Sequence, residues 1–277
     1  MTSPPRISFL VPTFNGGAYL TPAIESIADQ LIPGDEVLVQ DGASTDGSIT
    51  RLCELFADAP WLKVVSEPDE GQSDALDKAL RRAVNNYVMG LNADDIVYPG
   101  ALEAVRRGLS NQPDILCGRS TIFTNSGRVV RTYTPGPITR EAFVGRGSNL
   151  FTGSLAFRTE LVREVGGFDA RYQYCMDIDL IARLSERRPA VTYIPEVIGG
   201  LRWHGESKGG STLWPIVREA TEVRLAHART PRERVTAIGA SMAYLMAGMA
   251  QPIRHSTPYS AIKARLSKHA AQTGGAP

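Results

Sequence analysis

The chain has few of the residues that build metal clusters or disulfide scaffolds. Its 277 residues include only three cysteines, Cys53, Cys117 and Cys175, which are far apart and form no Cys-x-x-Cys pair. This argues against a zinc cluster or a disulfide framework and indicates a reducing cytosol. Neither charge sign is in excess, since 30 Lys and Arg face 29 Asp and Glu. We therefore expect no general attraction to nucleic acid.

Long hydrophobic runs are also missing. Residues 1–6 lead directly into a strand, without the apolar stretch of a signal peptide, so we expect a cytoplasmic protein that is not secreted. The segment from Val235 to Ala250 is rich in Ala, Met and Leu but contains Gly239 and Gly248. It falls short of the run of about 18 apolar residues that a spanning helix needs. We interpret it as a helix that is either packed or interfacial, the latter implying peripheral contact with the inner face of a membrane.

The first half of the chain repeats one unit, in which a short apolar strand ends in a polar loop that leads into a helix. Strands are predicted at residues 7–11, 37–40, 61–65 and 87–89, and helices at 18–30, 48–56, 74–85 and from 101. Crossovers of this kind give parallel strands whose carboxyl ends meet at one sheet edge, where α/β proteins bind ligands. We therefore expect an α/β fold with a Rossmann-like, mostly parallel sheet flanked by helices.

Two adjacent carboxylates, Asp94 and Asp95, follow the fourth predicted strand. Neighbouring acids raise each other's pKa unless a cation or a donor lies close by. A divalent ion, Mg²⁺ or Mn²⁺, would relieve the repulsion and could hold a diphosphate. The alternative interpretation is an ordinary solvated turn.

The loops after the first two strands carry further candidates. Pro12, Thr13 and Asn15 follow the first strand, in a loop that is neither a Gly-x-Gly-x-x-Gly fingerprint nor a P-loop. Asp41 ends the second strand, where α/β proteins commonly hold a nucleoside. Asp46, in the same loop as Asp41, is either a ligand contact or a cap for the following helix.

The third loop and the second half of the chain give weaker signals. Asp74 lies at a predicted helix start, where a dipole contact or an ion pair with Lys78 accounts for it equally well. Asp177 also begins a predicted helix, and a purely structural role is the alternative. His204 adjoins a Gly-rich segment, residues 205–210, that could close over a ligand. A histidine at such a position is otherwise a surface residue.

The remaining patterns divide the chain into three parts: residues 1–113, 114–210 and a helical extension, 211–277. The second part is expected to contain strands at 114–119 and 127–133, forming an antiparallel pair, and a strand with a glycine kink at 149–157. Helices at 158–165 and 174–184 and a strand at 191–194 complete it, and residues 201–204 follow after a glycine pair. The tail from residue 268 is expected to be disordered.

Taken in order, these motifs resemble those of inverting glycosyltransferases of family 2, which have the GT-A fold. The resemblance covers residues 7–208. Residues 12–15 resemble the family's nucleotide loop, and residues 41–47 its Asp-Gly-Ser-x-Asp-Gly segment with Ala43 inserted. Residues 71–75 resemble Gly-x-x-Asp-Ala, and 166–169 the acceptor-side Gly-Gly-Phe-Asp turn. Residues 92–95 resemble the Asp-x-Asp metal motif, with Asn92 replacing the first acid.

Two further departures from the family pattern are Gln40 and Met176, each in place of an acid. By position, the resemblance implies that Asp177 is the catalytic base and that Asp94, Asp95 and His204 bind the metal. It implies nucleotide contacts from Pro12, Thr13, Asn15, Asp41, Gly71, Asp74 and Ala93.

The activity implied is transfer of a sugar, with inversion, from a nucleoside-diphosphate donor to a glycan or lipid-linked acceptor, as in cell-envelope polysaccharide assembly. The resemblance implies a uridine or another pyrimidine nucleotide, with Mg²⁺ or Mn²⁺ as cofactor. One base and a metal-held leaving group give a single displacement, whereas a hydrolase would need two flanking carboxyls. Two alternatives stay open: a sugar nucleotidyltransferase, and a non-catalytic nucleotide-sugar-binding protein.

Overall fold

One mixed sheet runs through the computed structural model, which describes residues 4–145, 150–204 and 213–249. The strands are β1 (Ile7–Thr13), β2 (Glu36–Asp41), β3 (Leu62–Ser66), β4 (Tyr87–Gly90), β5 (Ile96–Val97), β6 (Ile115–Thr124), β7 (Val129–Tyr133), β8 (Leu155–Arg158) and β9 (Val191–Trp203). Within the described residues their order is β3-β2-β1-β4-β8-β6-β9-β5, and β7 pairs with β6.

Nine α-helices surround this sheet in the described ranges. They are α1 (Leu20–Ala28), α2 (Ser48–Leu55), α3 (Gln72–Arg82), α4 (Ala101–Leu109), α5 (Arg140–Gly145), α6 (Thr159–Glu164), α7 (Met176–Glu186), α8 (Leu213–His227) and α9 (Pro231–Met249). The helices predicted in the first half are all present, and their ends differ by at most three residues from the prediction.

The first four strands confirm the parallel arrangement expected from the repeated β-loop-α units. β1 pairs in parallel with both β2 and β4, and β2 with β3. Every residue of β1, β2 and β4 is buried. Strands covered by helices on both faces need such continuous apolar runs, which is why the sequence alone locates them.

The second half extends the same sheet with mixed pairing. β8 is antiparallel to β4 and β6, and β6 and β7 form the predicted antiparallel pair. β9 runs parallel to β6 and antiparallel to β5. The α/β class and the helical extension are as predicted, while the parallel arrangement is confined to β1–β4 and the β6–β9 pair. The sheet also continues through the predicted boundary at residue 113.

β9 corrects the prediction of a short strand at 191–194, because the strand continues to Trp203. The β6–β9 register shifts opposite Pro195, and this irregularity accommodates a residue that has no N–H to donate. Gly199 and Gly200 are places of close approach: a Cβ on Gly199 would lie 2.5 Å from the carbonyl oxygen of Gly153, and one on Gly200 3.0 Å from the Phe123 ring. These glycines therefore keep the strand continuous.

Residues 150–158 correct a second prediction. Instead of one kinked strand, a 3-10 turn at Thr152–Ser154 precedes β8. Thr152 packs directly against the end of β4: a Cβ added to Gly90 would lie 2.7 Å from Cγ2 of Thr152.

The C-terminal helices pack against helix α5 of the second part of the chain. Arg140 in α5 donates through both terminal nitrogens to Glu233 in α9, at 3.0 and 2.9 Å. Glu233 and Thr230 also form a capping box, in which each backbone N–H is accepted by the other side chain at 3.2 Å. In the ranges the structure describes, no helix has the length and apolar character needed to cross a membrane. The tail from residue 268 and the loop at 205–210 lie outside the described residues.

Candidate active site

A cavity of about 660 Å³ opens at the carboxyl ends of β1 and β4, at the sheet edge where the sequence predicts a ligand site. Eight of the eleven predicted site residues line it: Pro12, Thr13, Asn15, Gly71, Ala93, Asp94, Asp95 and His204. The structure does not place Asp41, Asp74 or Asp177 in this lining. The cavity therefore brings together the nucleotide and metal candidates and leaves the candidate base outside its wall.

The loops after β1 and β2 are tied together along one side of the cavity. Asn15 donates its backbone N–H to Oγ of Ser44 at 2.7 Å, and its side-chain oxygen accepts from the Thr45 N–H at 3.0 Å. Asp46 accepts from the Gly17 N–H at 2.8 Å and from both donors of Ser48, the first residue of α2, so its role is structural. Oγ1 of Thr13 is buried and has no hydrogen-bond partner among the described residues, which makes it available to a ligand.

Asp41 is fully buried beneath this wall. Its carboxylate accepts from the Ser44 N–H at 2.9 Å, from the Ser44 hydroxyl and from the Ser66 hydroxyl at 2.6 Å. These bonds hold the loop after β2 against the end of β3. Asp41 thus supports the neighbouring Gly42, which does line the cavity.

Asp69 is a lining residue that the sequence analysis missed. It lies so close to Gly42 that a Cβ there would be 2.8 Å from the Asp69 carboxylate, and it accepts from the Gly71 N–H at 2.9 Å. Its position just past the carboxyl end of β3 was a usable signal. Asp74, by contrast, caps the Glu70 N–H at 3.0 Å and pairs with Lys78 at 3.0 Å.

Asp94 and His204 meet at the opposite side of the cavity. Nε2 of His204 lies 3.0 Å from Oδ2 of Asp94. The imidazole stacks on Tyr19 with ring centroids 4.8 Å apart. Arg202 donates from Nε to the backbone oxygen of Asp94 at 2.9 Å and covers the Tyr19 ring at 5.3 Å. Tyr19 and Arg202 thus fix the orientation of this pair.

Asp95 faces the protein more than the cavity and is only 1 % exposed. Its oxygens accept from the Arg202 N–H at 2.9 Å and from the Asn92 amide at 2.7 Å. Burial, and then the adjacent charge of Asp94, raise the pKa of Asp95 to about 8. The amide oxygen of Asn92 accepts from Gln72 at 2.7 Å. An amide at position 92 therefore serves as a donor and an acceptor at once, which a carboxylate could not do.

The residues present fit a divalent cation at Asp94 and His204. A carboxylate and an imidazole converge on the cavity, and a cation would offset the repulsion between the adjacent acids 94 and 95. No group of three or more His, Cys, Asp or Glu side chains suited to a metal occurs within the described ranges. The remaining ligand positions would thus fall to substrate phosphate and water, as is usual for Mg²⁺-type sites.

Asp177 lies in the first turn of α7 and is half-buried. Burial raises its pKa, an effect reduced by hydrogen bonds from the Ile178 N–H at 2.7 Å and from Thr152. Gln173, four residues before Asp177 in the chain, lines the cavity. Asp179, by comparison, is committed to an ion pair with Arg183 at 2.6 Å.

Two solved structures with bound sugar nucleotides share the fold of this chain. S. aureus TarS 1-349 in complex with UDP-GlcNAc aligns with a TM-score of 0.65 at 18 % identity, over 87 % of this chain and 71 % of that one. The mannosyltransferase PcManGT from Pyrobaculum calidifontis, in complex with GDP-Man and Mn²⁺, aligns with a TM-score of 0.60 at 21 % identity, over 98 % and 81 %. At these identities the likeness shows the fold, and it confirms the predicted GT-A architecture.

Residues 8–165, more than half of the chain, match the family model described as Glycosyl transferase family 2. The chain belongs to glycosyltransferase family 2, as its motifs predict. Chondroitin synthase from Escherichia coli is 26 % identical over 210 residues, which are 73 % of this chain but 30 % of that protein. The chain thus spans less than a third of that relative. A PGL/p-HBAD biosynthesis glycosyltransferase from Mycobacterium bovis is 27 % identical over 203 residues, 70 % of this chain and 75 % of that protein.

Proposed function

We propose that this chain is an inverting glycosyltransferase that moves a sugar from a nucleoside-diphosphate donor to a hydroxyl of a glycan or lipid-linked acceptor. The observation that carries the proposal is the meeting of Asp94 and His204 in the same cavity as the Thr13 and Asn15 loop. Relatives named for glycan synthesis and neighbours bound to UDP-GlcNAc or GDP-Man support the donor class.

The donor would lie with its nucleoside against the loops after β1 and β3. The unpaired Oγ1 of Thr13 can bond to a ribose or base oxygen, and the carboxylate of Asp69 can accept an N–H of the base. The ring N3–H of uracil is a donor of this kind, which suits the uridine donor that the resemblance implies; cytosine would donate through its exocyclic amine instead. Asn15, held in a left-handed conformation at φ 49°, keeps its amide engaged with the β2 loop and so shapes this wall.

Asp94 and His204 would hold Mg²⁺ or Mn²⁺, which when bound neutralises charge on the diphosphate leaving group. Asp95 keeps the Asp94 loop in place through its bonds to Arg202 and Asn92. The stacked Tyr19 ring limits rotation of the His204 imidazole.

Asp177 would accept the proton of the acceptor hydroxyl as the oxygen attacks the anomeric carbon. Burial raises the pKa of Asp177, which makes its carboxylate a stronger base at working pH. One base on the face opposite the leaving group gives inversion in a single displacement. Thr152 would fix the orientation of this carboxylate.

The test is donor turnover by the full chain with Mn²⁺, across a panel of nucleoside-diphosphate sugars, with and without a glycan acceptor. We expect free nucleoside diphosphate only when the acceptor is present, and a product of inverted anomeric configuration by NMR. Asp177→Asn should bind donor normally and transfer no sugar at a useful rate. Retention of configuration, or full activity in Asp177→Asn, would contradict the proposal.

We further propose that α9 docks on an anionic lipid surface. One face of α9 is apolar and exposed. By their spacing it carries Val235, Ile238, Met242 and Met246, whose exposed fractions are 71, 49, 53 and 64 %. The packed face of the helix carries the buried Ala237 and Ser241. The 44 residues from Arg234 to the last residue contain five Lys or Arg and no Asp or Glu. A second copy with the same basic segment would be repelled, whereas an anionic bilayer would attract it.

Vesicle flotation tests this contact with the full chain. We expect binding to vesicles that contain phosphatidylglycerol, little to pure phosphatidylcholine, and loss of binding in Ile238→Ser/Met242→Ser. Val129→Ser/Val130→Ser removes apolar area of similar exposure on β7 and serves as the control. A dimer in light scattering that the α9 variant disrupts would assign the face to self-association instead.

A further inference from the structure

Glu219 in α8 is a buried carboxylate, 4 % exposed, that accepts three consecutive backbone N–H groups. Its oxygens lie 3.2 Å from the nitrogen of Gln173, 2.8 Å from that of Tyr174 and 3.0 Å from that of Cys175. In the described part of the chain Glu219 forms no ion pair with a cationic side chain. Its negative charge is therefore compensated by these N–H groups and by the positive end of α7, which begins at Met176.

The three residues held by Glu219 connect the two parts of the proposed site. Gln173 lines the cavity, and its side-chain oxygen is so close to Gly71 that a Cβ there would lie only 2.2 Å away. Its amide nitrogen also donates to the backbone oxygens of Glu70 and Ala170, each at 3.0 Å. At the other end, Cys175 directly precedes the first turn of α7, which carries Asp177.

The contact also links the C-terminal extension to the segment that precedes α7. Glu219 lies in α8, about 45 residues beyond the segment it binds, and α8 is in turn joined to α9 by Arg224, which donates to the Ser241 hydroxyl at 3.0 Å. Without the carboxylate, the buried N–H of Cys175 and the partly buried N–H groups of Gln173 and Tyr174 would lose their acceptor together. The local cost would fall on the segment that joins the cavity wall to α7.

We infer that Glu219 is a positioning residue for sugar transfer, fixing residues 173–175 so that Gln173 closes the cavity and Asp177 is held at the reacting hydroxyl. This inference rests on the proposed function. It assigns to the C-terminal extension a part in the reaction, although none of the extension's residues between 213 and 249 lines the cavity. The nucleotide side is built from the ends of β1 to β4, and Gln173 touches it at Glu70 and Gly71. Its other parts are held by the separate contacts of Asn15, Asp41 and Asp69.

Glu219→Gln is the main test, because glutamine keeps the volume but places an NH₂ group against backbone donors. Glu222→Gln, an exposed acid one turn away on α8, is the matched control. We expect kcat to fall by about 10- to 100-fold in Glu219→Gln, with donor KM changed by less than about threefold, since small displacements act on orientation. Amides 173–175 should exchange with deuterium faster in this variant only.

Glu219→Asp is the second variant, in case glutamine prevents folding; it retains the charge and should give an intermediate kcat. Two results would overturn the positioning role and leave Glu219 a structural residue. The first is an unchanged kcat although amides 173–175 exchange faster. The second is an equal loss in kcat and nucleotide affinity, together with a lowered melting temperature. A wild-type chain that transfers no sugar would instead reject the proposed function. The exchange data would then still report whether Glu219 orders residues 173–175.

Discussion

Nε2 of His204 lies 3.0 Å from Oδ2 of Asp94, although 110 residues separate them in the chain. The contact exists because β5 begins directly after Asp95 and pairs with β9, whose last residue, Trp203, precedes His204. The two candidate metal ligands are therefore placed by backbone pairing.

Removing the imidazole should weaken metal binding while leaving the fold intact. We expect His204→Ala to reduce Mn²⁺ affinity by at least about tenfold, measured by calorimetry with nucleoside diphosphate present. His227→Ala, whose ring pairs with Glu186 at 2.9 Å on the far side of α7, should bind Mn²⁺ normally. Equal affinity in both variants would remove His204 from the ligand set.

Restoring the acid at position 92 should destabilise the metal-free protein. In Asn92→Asp the donor to Asp95 is lost and a carboxylate takes its place, which costs about 1–3 kcal/mol for a buried acceptor without a partner. The loss should grow as pH rises, because two carboxyls can share a proton at lower pH. Adding Mn²⁺ should restore part of the lost stability. Asn111→Asp, at an exposed position, is the control for thermal unfolding.

The acid limb of the kcat–pH profile should follow Asp177. Its pKa is raised above the ordinary 3.8 by burial, and the base must be ionised, so kcat should fall as pH decreases through that raised value. Thr152→Val removes a hydrogen bond that lowers this pKa, so the limb should move to higher pH. Thr132→Val, exposed on β7, should leave it in place. Asp177→Asn should lose about 10²- to 10⁴-fold in kcat.

Ala43→Gly should stabilise the protein. Ala43 has φ 64°, a left-handed conformation that costs a residue with a Cβ about 1–2 kcal/mol relative to glycine. Because glycine also gains entropy when unfolded, we expect a net gain of about 1 kcal/mol, or about 2–4 °C in melting temperature. Ala57→Gly, exposed and without a positive φ, should give no gain. A lowered melting temperature for Ala43→Gly would contradict this account of the insertion.

The ion pair that holds α9 against α5 should weaken in acid. Hydrogen bonds from Arg140 lower the pKa of Glu233 from 4.5 to about 2. Since the folded pKa is the lower one, this contribution to stability is present above pH 4.5 and lost as pH falls towards about 2. The difference in melting temperature between wild type and Glu233→Gln should therefore narrow on acidification. Glu103→Gln, in an exposed i,i+4 pair with Arg107, should differ little at any pH.

The sequence was sufficient for the parts of the site that depend on local pattern. β1, β2 and β4 are wholly buried strands with short apolar runs, and each ends at the sheet edge where the polar loops begin. The motif order then identified the family, which the family model confirms. The assigned roles of Asp94, His204 and Asp177 stay predictions.

What the sequence did not provide was the set of contacts made between distant segments. Tyr19, Arg202 and Glu219 look like ordinary helix and strand residues, and only the fold brings them to the Asp94 pair or to residues 173–175. Asp69 was overlooked because a loop acid has no periodicity to mark it. Gly199 and Gly200 misled for another reason, since a glycine pair is equally consistent with a strand end and with close packing.

The unbroken path of β9 bears on the construction of hybrid enzymes. Successive side chains on a strand alternate between faces, so deleting one residue between Val191 and Trp203 would reverse the orientation of every position downstream, including Arg202. A graft intended to change the acceptor should therefore retain β9 whole and exchange the segments before Val191. In such a hybrid, β9 of this chain would keep His204 beside Asp94, whatever sugar chain the exchanged segment accepts.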